Sequence, residues 1–350
     1  MAWPDRRILD LFGIKLPIIQ APMAGSQGSA LAIAVCNAGG LGSQPCALLG
    51  PDQIQQELRA ITAATPNAYN VNFFVHQEPA ADPAREDAWR KVLAPYLTEY
   101  GIDPASIQAG PARRPFNDEA ADVLEQFKPP VVSFHFGLPS DSLMKRVKSW
   151  GAKILSSATT VDEARFLEAH GCDAVIAQGY EAGGHRGMFL TEDLNTQVGT
   201  FALVRQIVSA VRVPVIAAGG IADAAGVKAA ATLGASAAQV GTAYLFCPDA
   251  TTNPLHRAAL DSEAAATTAV TNLLTGRPAR GIVNRLMREI GPINRAAPPF
   301  PLAATTIFAL RTQAEAKGLS DFSSMWAGQN ARLGREVPAG ELTRQLAAER

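Results

Sequence analysis

A chain of 350 residues can bury a large core, enough for one barrel with additions or for two ordinary domains. At 47% hydrophobic and 18% charged, the composition excludes a disordered or fibrous chain. Lys plus Arg (31) nearly cancel Asp plus Glu (32), so no field favours nucleic acid or an anionic membrane, and the expected partners are small molecules.

The chain opens MAWPDRRILD, with charges where a signal peptide needs its apolar stretch, and no later run is long and apolar enough for a membrane span. Short apolar runs then alternate with helical patterns. Strands are expected at Pro17 to Ala24, Leu41 to Gln44, Tyr69 to Val75, Val131 to Phe136, Lys153 to Ala158, Ala174 to Gln178, Pro214 to Ala218 and Ala237 to Tyr244. Between them helices fit Ser29 to Ala38, Gln53 to Ala63, Ser140 to Trp150, Val161 to His170, Thr200 to Val211 and Asp223 to Leu233. Gly151, Gly171 and Gly234 stand where a helix stops. This α/β alternation predicts a (β/α)8 TIM barrel. The competing doubly wound sheet lacks its GxGxxG turn after the first strand.

Two stretches depart from the repeat. Residues 76–130, between the third and fourth strands, carry Pro79, Pro83, Pro95, Pro104, Pro111 and Pro115, which predict an insertion broken into short pieces or an outer helical hairpin. Residues 251–350 follow the barrel of residues 1–250 and read as an additional, mostly helical region, with helix and loop from Asn253 to Gly291 and a return of the chain to the barrel. Cys36, Cys46, Cys172 and Cys247 lack the close pairing of a zinc site or a disulfide framework, so a reducing cytoplasm and no metal are expected.

A barrel of this kind gathers its chemistry at the carboxyl ends of its strands. There the first strand offers Pro22, Met23, Ala24 and Gly25, the third Asn72 and His76, and the fourth Ser133 and His135. The sixth ends in Gln178 and runs on into AQGYEAGGHRG, which surrounds His185 with glycines including Gly183 and Gly184. Glycine allows backbone to approach a bound group, and imidazole moves protons near neutral pH. AAGGIAD supplies Gly219 and Gly220, and AQVGTAY supplies Gln239, Gly241 and Thr242. Main-chain N–H groups freed at adjacent strand ends, with a threonine hydroxyl, suit a phosphate.

In this order QAPMAG, VNFF, AQGYEAGGHRG, AAGGIAD and QVGTAY resemble the nitronate monooxygenases, also called 2-nitropropane dioxygenases. The resemblance covers roughly Leu11 to Phe246 and reaches the tail at WAGQ, Trp326 to Gln329. It implies an FMN-dependent (β/α)8 oxidoreductase that turns alkyl nitronates, with O2, into carbonyl compounds and nitrite. FMN would then be held by the backbone around Met23, by Asn72 and Gln178, by Gly183 close to the cofactor, and by Gly220, Gln239, Val240, Gly241 and Thr242 at its phosphate end. His185 would act as the base or bind the nitronate oxygens, and His135 and Phe300 would line the substrate pocket.

The late segment PPFPLAATTIFAL departs from the family, with Phe300 in place of a tyrosine and no lysine after it. Donors for a nitro group are therefore missing there. A flavin reductase moving hydride from NADH or NADPH to a quinone or an enoyl thioester is the alternative. A flavin-free lyase needs a Schiff-base lysine at a strand end, whereas Lys153 begins its strand. No cation is unambiguously placed beside a flavin ring: Arg186 is near in sequence, with a solvent-facing side chain left open, and the oligomeric state is not legible.

Overall fold

The computed structural model describes residues 3–80, 82–108 and 113–348. Pro111, Met1 and Ala2, which entered the reading above, lie outside them.

Eleven strands form among the described residues. They are β1 (Ile18–Gln20), β2 (Gly42–Pro45), β3 (Tyr69–Phe74), β4 (Val131–His135), β5 (Lys153–Ala158), β6 (Ala174–Gln178), β7 (Gly184–His185), β8 (Val215–Ala218), β9 (Ala237–Val240), β10 (Thr268–Thr271) and β11 (Ala279–Ile282). Eight of them pair in parallel in the order β1, β9, β8, β6, β5, β4, β3, β2. A bridge between Ile19 and Leu41 brings β2 back to β1, and the sheet closes. This is the predicted (β/α)8 barrel, with crossover helices outside it.

Alternation along the strands builds two layers. Ile19, Val131, Leu155, Ile176, Ile216 and Ala237 point inward, while Val71, Val132, Ile154, Val175, Ala217 and Ala238 pack under the outer helices. A helix not foreseen from sequence, Arg7–Phe12, sets Ile8, Leu9 and Phe12 against the inner layer. It plugs the end of the barrel remote from the cleft. Burying each such side chain contributes about 1.5–3 kcal/mol. The eighth strand ends at Val240, four residues earlier than expected, because the chain turns at Gly241 into a short 3-10 helix, Thr242–Phe246.

Residues 76–130 hold a long helix, Pro83–Glu99, and the helix Asp118–Phe127. Pro83 sits in the first turn, where its missing N–H costs nothing, and Pro95 is carried inside the helix. Trp89, Leu93 and Leu97 pack with Ile307, Leu310 and Ala314 of the Ala304–Ala316 helix, so the insertion and the late segment share one core. Segment 253–291, read as helix and loop, contains the β10–β11 hairpin, whose second strand pairs antiparallel with β7. The Ala339–Leu346 helix carries Ala339, Leu342 and Leu346 into the cluster of Leu31 and Val35 on the Ser29–Asn37 helix. All four cysteines are buried and free. Among the described residues no helix is long and apolar enough to cross a membrane, and no group of His, Cys, Asp or Glu could hold a metal ion.

Candidate active site

Strand parity decides which side chains reach the cleft. On β6, Ala174 and Ile176 face inward, so Gln178 does too; on β4, Val131 and Ser133 bring His135 to the same side. Met23, Asn72, His135, Gln178, Gly183, His185, Gly220, Gln239, Gly241 and Thr242 all line one cavity of about 220 Å³ at the carboxyl ends of the strands.

Of the residues singled out from sequence, Gly25, His76, Val240 and Phe300 do not line it. Val240 has the opposite parity to Gln239; its side chain lies in the outer core and its carbonyl accepts from Ala21 N–H at 2.8 Å. Phe300 is buried, with its ring 5.3 Å from the His185 ring and 4.8 Å from that of His76. Its place is in an aromatic wall with Phe74 and Phe136.

At the glycine end, the N–H groups of Gly219, Gly220, Gly241 and Thr242 donate to nothing else among the described residues. Gly219 and Gly220 have φ of 118° and 70°, a conformation that costs a residue with a Cβ dearly. The Thr242 hydroxyl accepts from Gly328 N–H at 2.9 Å, which leaves its own proton to donate. Gln239 Oε1 is buried with no partner among the described residues. Asn72 Nδ2 is spent on Ser133 Oγ at 2.9 Å, while its Oδ1 accepts from no described group.

Other residues are committed differently from the sequence reading. Met23 N–H donates to Gln27 Oε1 and its carbonyl accepts from Ser26 N–H, while the Ala24 N–H beside it donates to no described group. Gln178 binds protein with both ends of its amide: Nε2 donates to the His185 carbonyl at 2.9 Å, and Oε1 accepts from Gly187 N–H at 2.7 Å. A Cβ on Gly183 would come within 2.6 Å of Ala327 C, so the residue is small because the tail passes over it. Arg186 is fully buried, donating to the carbonyls of Gln178 and Gly179 and to Gln197. Burial lowers its pKa to about 10.

The His185 ring is half-buried between Phe300 and Trp326, and its Nε2 is 2.9 Å from Thr275 Oγ1. Nδ1 has no described partner. Burial first, then the charges of Arg113, His135, Arg277 and His76, hold its pKa well below the usual histidine value. The ring is neutral at physiological pH. His135 donates from Nε2 to the His185 carbonyl at 3.1 Å, leaving Nδ1 to accept from Ser157 Oγ at 3.0 Å. Burial pushes its pKa down to about 4.

The cations near His185 were not legible in sequence. Arg113 comes from the insertion and lines the cavity, with no carboxylate within ion-pair distance among the described residues. Arg277 lies 4.0 Å over the Phe136 ring and donates from Nη2 to the Met188 carbonyl. A second cavity, of about 420 Å³, adjoins the first; Arg113, His256 and Trp326 border both, and Arg311 borders the second. A lone arginine among prolines carries no signal. The hairpin that brings Thr275 and Arg277 did have one, in the β-branched TAVT and the turn TGRP.

The family described as nitronate monooxygenase matches residues 5–349. A nitronate monooxygenase of Pseudomonas aeruginosa is 43% identical over 98% of both chains, and one of Paraburkholderia phytofirmans is 44% identical over 98% of this chain and 94% of its own. Among solved structures, nitroalkane oxidase from Streptomyces ansochromogenes is similar at a TM-score of 0.89 and 38% identity, covering 98% of this chain and 97% of its own. FabK from Thermotoga maritima is similar at a TM-score of 0.74 and 28% identity, covering 98% and 95%.

Proposed function

The chain belongs to the nitronate monooxygenase family and is an oxidoreductase, and on that premise we propose that it oxidises alkyl nitronates with O2 to carbonyl compounds and nitrite, using FMN. The residues fit that cofactor. Gln239 offers an orphaned buried carbonyl oxygen and Asn72 a free Oδ1 for the hydrogen-bonding edge of a flavin, and four free N–H groups with the Thr242 hydroxyl await a phosphate. A flavin held there supplies the electron acceptor and the route to O2.

The chain's own residues supply proton chemistry and charge. A nitroalkane has an acidic C–H; removing that proton leaves the electron pair on the C–N–O system as a nitronate. Neutral His185, with Nδ1 unengaged at the cavity, is in the form that accepts a proton. Arg113 and Arg277, which depress the imidazole's pKa, equally favour an anion beside it. This pairing of a neutral base with the Arg113 guanidinium, which has no carboxylate within ion-pair distance among the described residues, carries the reading. Phe74, Phe136, Phe300 and Trp326 keep the surroundings apolar, which strengthens each of these charges.

The test is nitrite release from a nitronate in air, without NADH or NADPH, by protein loaded with FMN. Release far above an FMN-only control is expected, and His185→Asn should lower nitroalkane turnover by about 10²-fold or more while FMN stays bound. No nitrite above that control sinks the reading, and rapid anaerobic bleaching of the flavin by NADH or NADPH would replace it with the reductase.

A further inference from the structure

His185 carries one proton on two nitrogens, and which nitrogen holds it decides what the cavity meets. With the proton on Nε2, Nδ1 presents a lone pair; with the proton on Nδ1, the ring presents a donor and cannot accept. No described group on the barrel hydrogen-bonds Nε2. Its partner is Thr275 Oγ1, at 2.9 Å, from the turn of the β10–β11 hairpin.

Thr275 is 2% exposed, and its hydroxyl has two described neighbours: His185 Nε2 and the Arg277 carbonyl, 3.4 Å away. A carbonyl only accepts. With the hydroxyl proton directed at Arg277 O, the Thr275 oxygen is left to accept from His185 Nε2–H. Sending that proton to His185 instead would leave the carbonyl without this donor and fix the imidazole proton on Nδ1, against the two guanidinium groups that already act on the ring.

We propose that Thr275 is the positioning residue that sets the tautomer of His185, holding its proton on Nε2 so that Nδ1 is the basic atom at the cavity. The assignment rests on the nitronate reading for its consequence in turnover, not for the tautomer. In the step concerned the substrate C–H bond breaks, a bond forms from Nδ1 to that proton, and the electron pair stays on the nitronate. The imidazolium so formed keeps Nε2–H on Thr275.

The supporting geometry is specific to this segment. Ala279 and Arg280 of β11 pair with His185 and Gly184, and Arg186 N–H donates to the Pro278 carbonyl at 2.8 Å. The hairpin that fixes the backbone of the histidine thus also delivers the hydroxyl to its ring.

Two measurements test this. Thr275→Val keeps the shape and removes the hydroxyl; it should lower kcat/KM about 10²-fold for a neutral nitroalkane and leave the pre-ionised nitronate nearly unchanged, with Thr275→Ser restoring the nitroalkane rate. Nitrogen–proton correlation spectra of histidine-labelled wild-type protein, assigned through His185→Asn, should show His185 protonated on Nε2. Equal losses on both substrates, no loss on either, or a proton on Nδ1 in the wild type would overturn the proposal. If the valine variant does not fold, the wild-type spectrum decides alone. Failure of the wild type to release nitrite from either substrate would remove the nitronate reading and leave the tautomer to the spectrum.

Discussion

Gln178 reaches from the end of β6 to the main chain of His185, its Nε2 donating to that residue's carbonyl at 2.9 Å while its Oε1 takes the N–H of Gly187 at 2.7 Å. His135 Nε2 donates to the same carbonyl. The loop that carries His185 is thus held to the barrel by its backbone, with the His185 ring at the cavity.

Gln178→Ala should therefore lower turnover without loosening the cofactor. It strips a partner from the Gly187 N–H and one of two from the His185 carbonyl, a loss of about 1–3 kcal/mol in loop stability. We expect kcat to fall about tenfold or more through misplacement of the base, with FMN affinity close to wild type by fluorescence titration. A large loss of FMN affinity with normal kcat on saturation would show that the amide reads the flavin instead.

Gly183→Ala should act through the tail. The new methyl group would meet Ala327 C and Gly328 N, both at 2.6 Å, and backbone there cannot yield cheaply. Destabilisation of about 1–3 kcal/mol, together with weaker FMN binding as Gly328 leaves Thr242, is the expected outcome in thermal denaturation with and without FMN. Unchanged melting in both would contradict the contact.

Arg113→Met should change both affinity and pH dependence. Arg113 is the largest charge acting on His185, so its loss raises the histidine's pKa, and the acid limb of nitroalkane turnover moves to higher pH. KM for a nitronate should rise about tenfold, in keeping with loss of a charged partner. A shift of the limb to lower pH, read from kcat/KM across the acid range, would refute the arrangement.

Protein stability should fall on acidification in a defined window. Burial lowers His76, His135 and His256 to about 4 in the folded chain, whereas the unfolded chain titrates near 6.5. The unfolded state binds more protons between those values, so the stabilisation from keeping these rings neutral is complete above about 6.5 and drains as pH falls toward about 4. Each unit removes about 1.4 kcal/mol per histidine. Urea unfolding at a series of pH values checks this, and a flat profile from pH about 7 to about 4 would rule it out.

What the sequence made legible follows from how local the signals are. The strands of the barrel announce themselves as apolar runs, and Lys153–Ala158 and Ala174–Gln178 fall where the pattern placed them. The glycines at 219 and 220 stand at a strand end for a backbone reason that one residue can express. Partners are not local. Gln178 was assigned toward a cofactor because an amide at a strand end looks available, and only the folded loop shows both its ends taken. Nothing local in the sequence fixes whether Arg186 faces solvent; the fold buries it completely, with three acceptors for its guanidinium. For Val240, parity along β9 places the side chain outward, next to a Gln239 that faces in, and leaves only its backbone toward the cavity end of the strand. Thr275 and Arg113 carry no mark of their own in the sequence, since what matters about them is where a hairpin and an insertion are folded.

The contact of Gly183 with Ala327 and Gly328 also sets an order of biosynthesis. Domains fold from the amino-terminal side while the chain is still being made, so the eight strands can emerge and close before the ribosome has delivered the residues that finish the pocket. Gly328, which donates to Thr242, and Asn330, whose side chain donates to the Gly220 carbonyl at 2.7 Å, arrive only with the late segment. On the proposed function, capture of FMN is expected to be a late event in the life of the nascent chain. Ribosome-stalled chains ending before Trp326 should be colourless in the presence of FMN, and a yellow stalled chain would show that the barrel alone suffices.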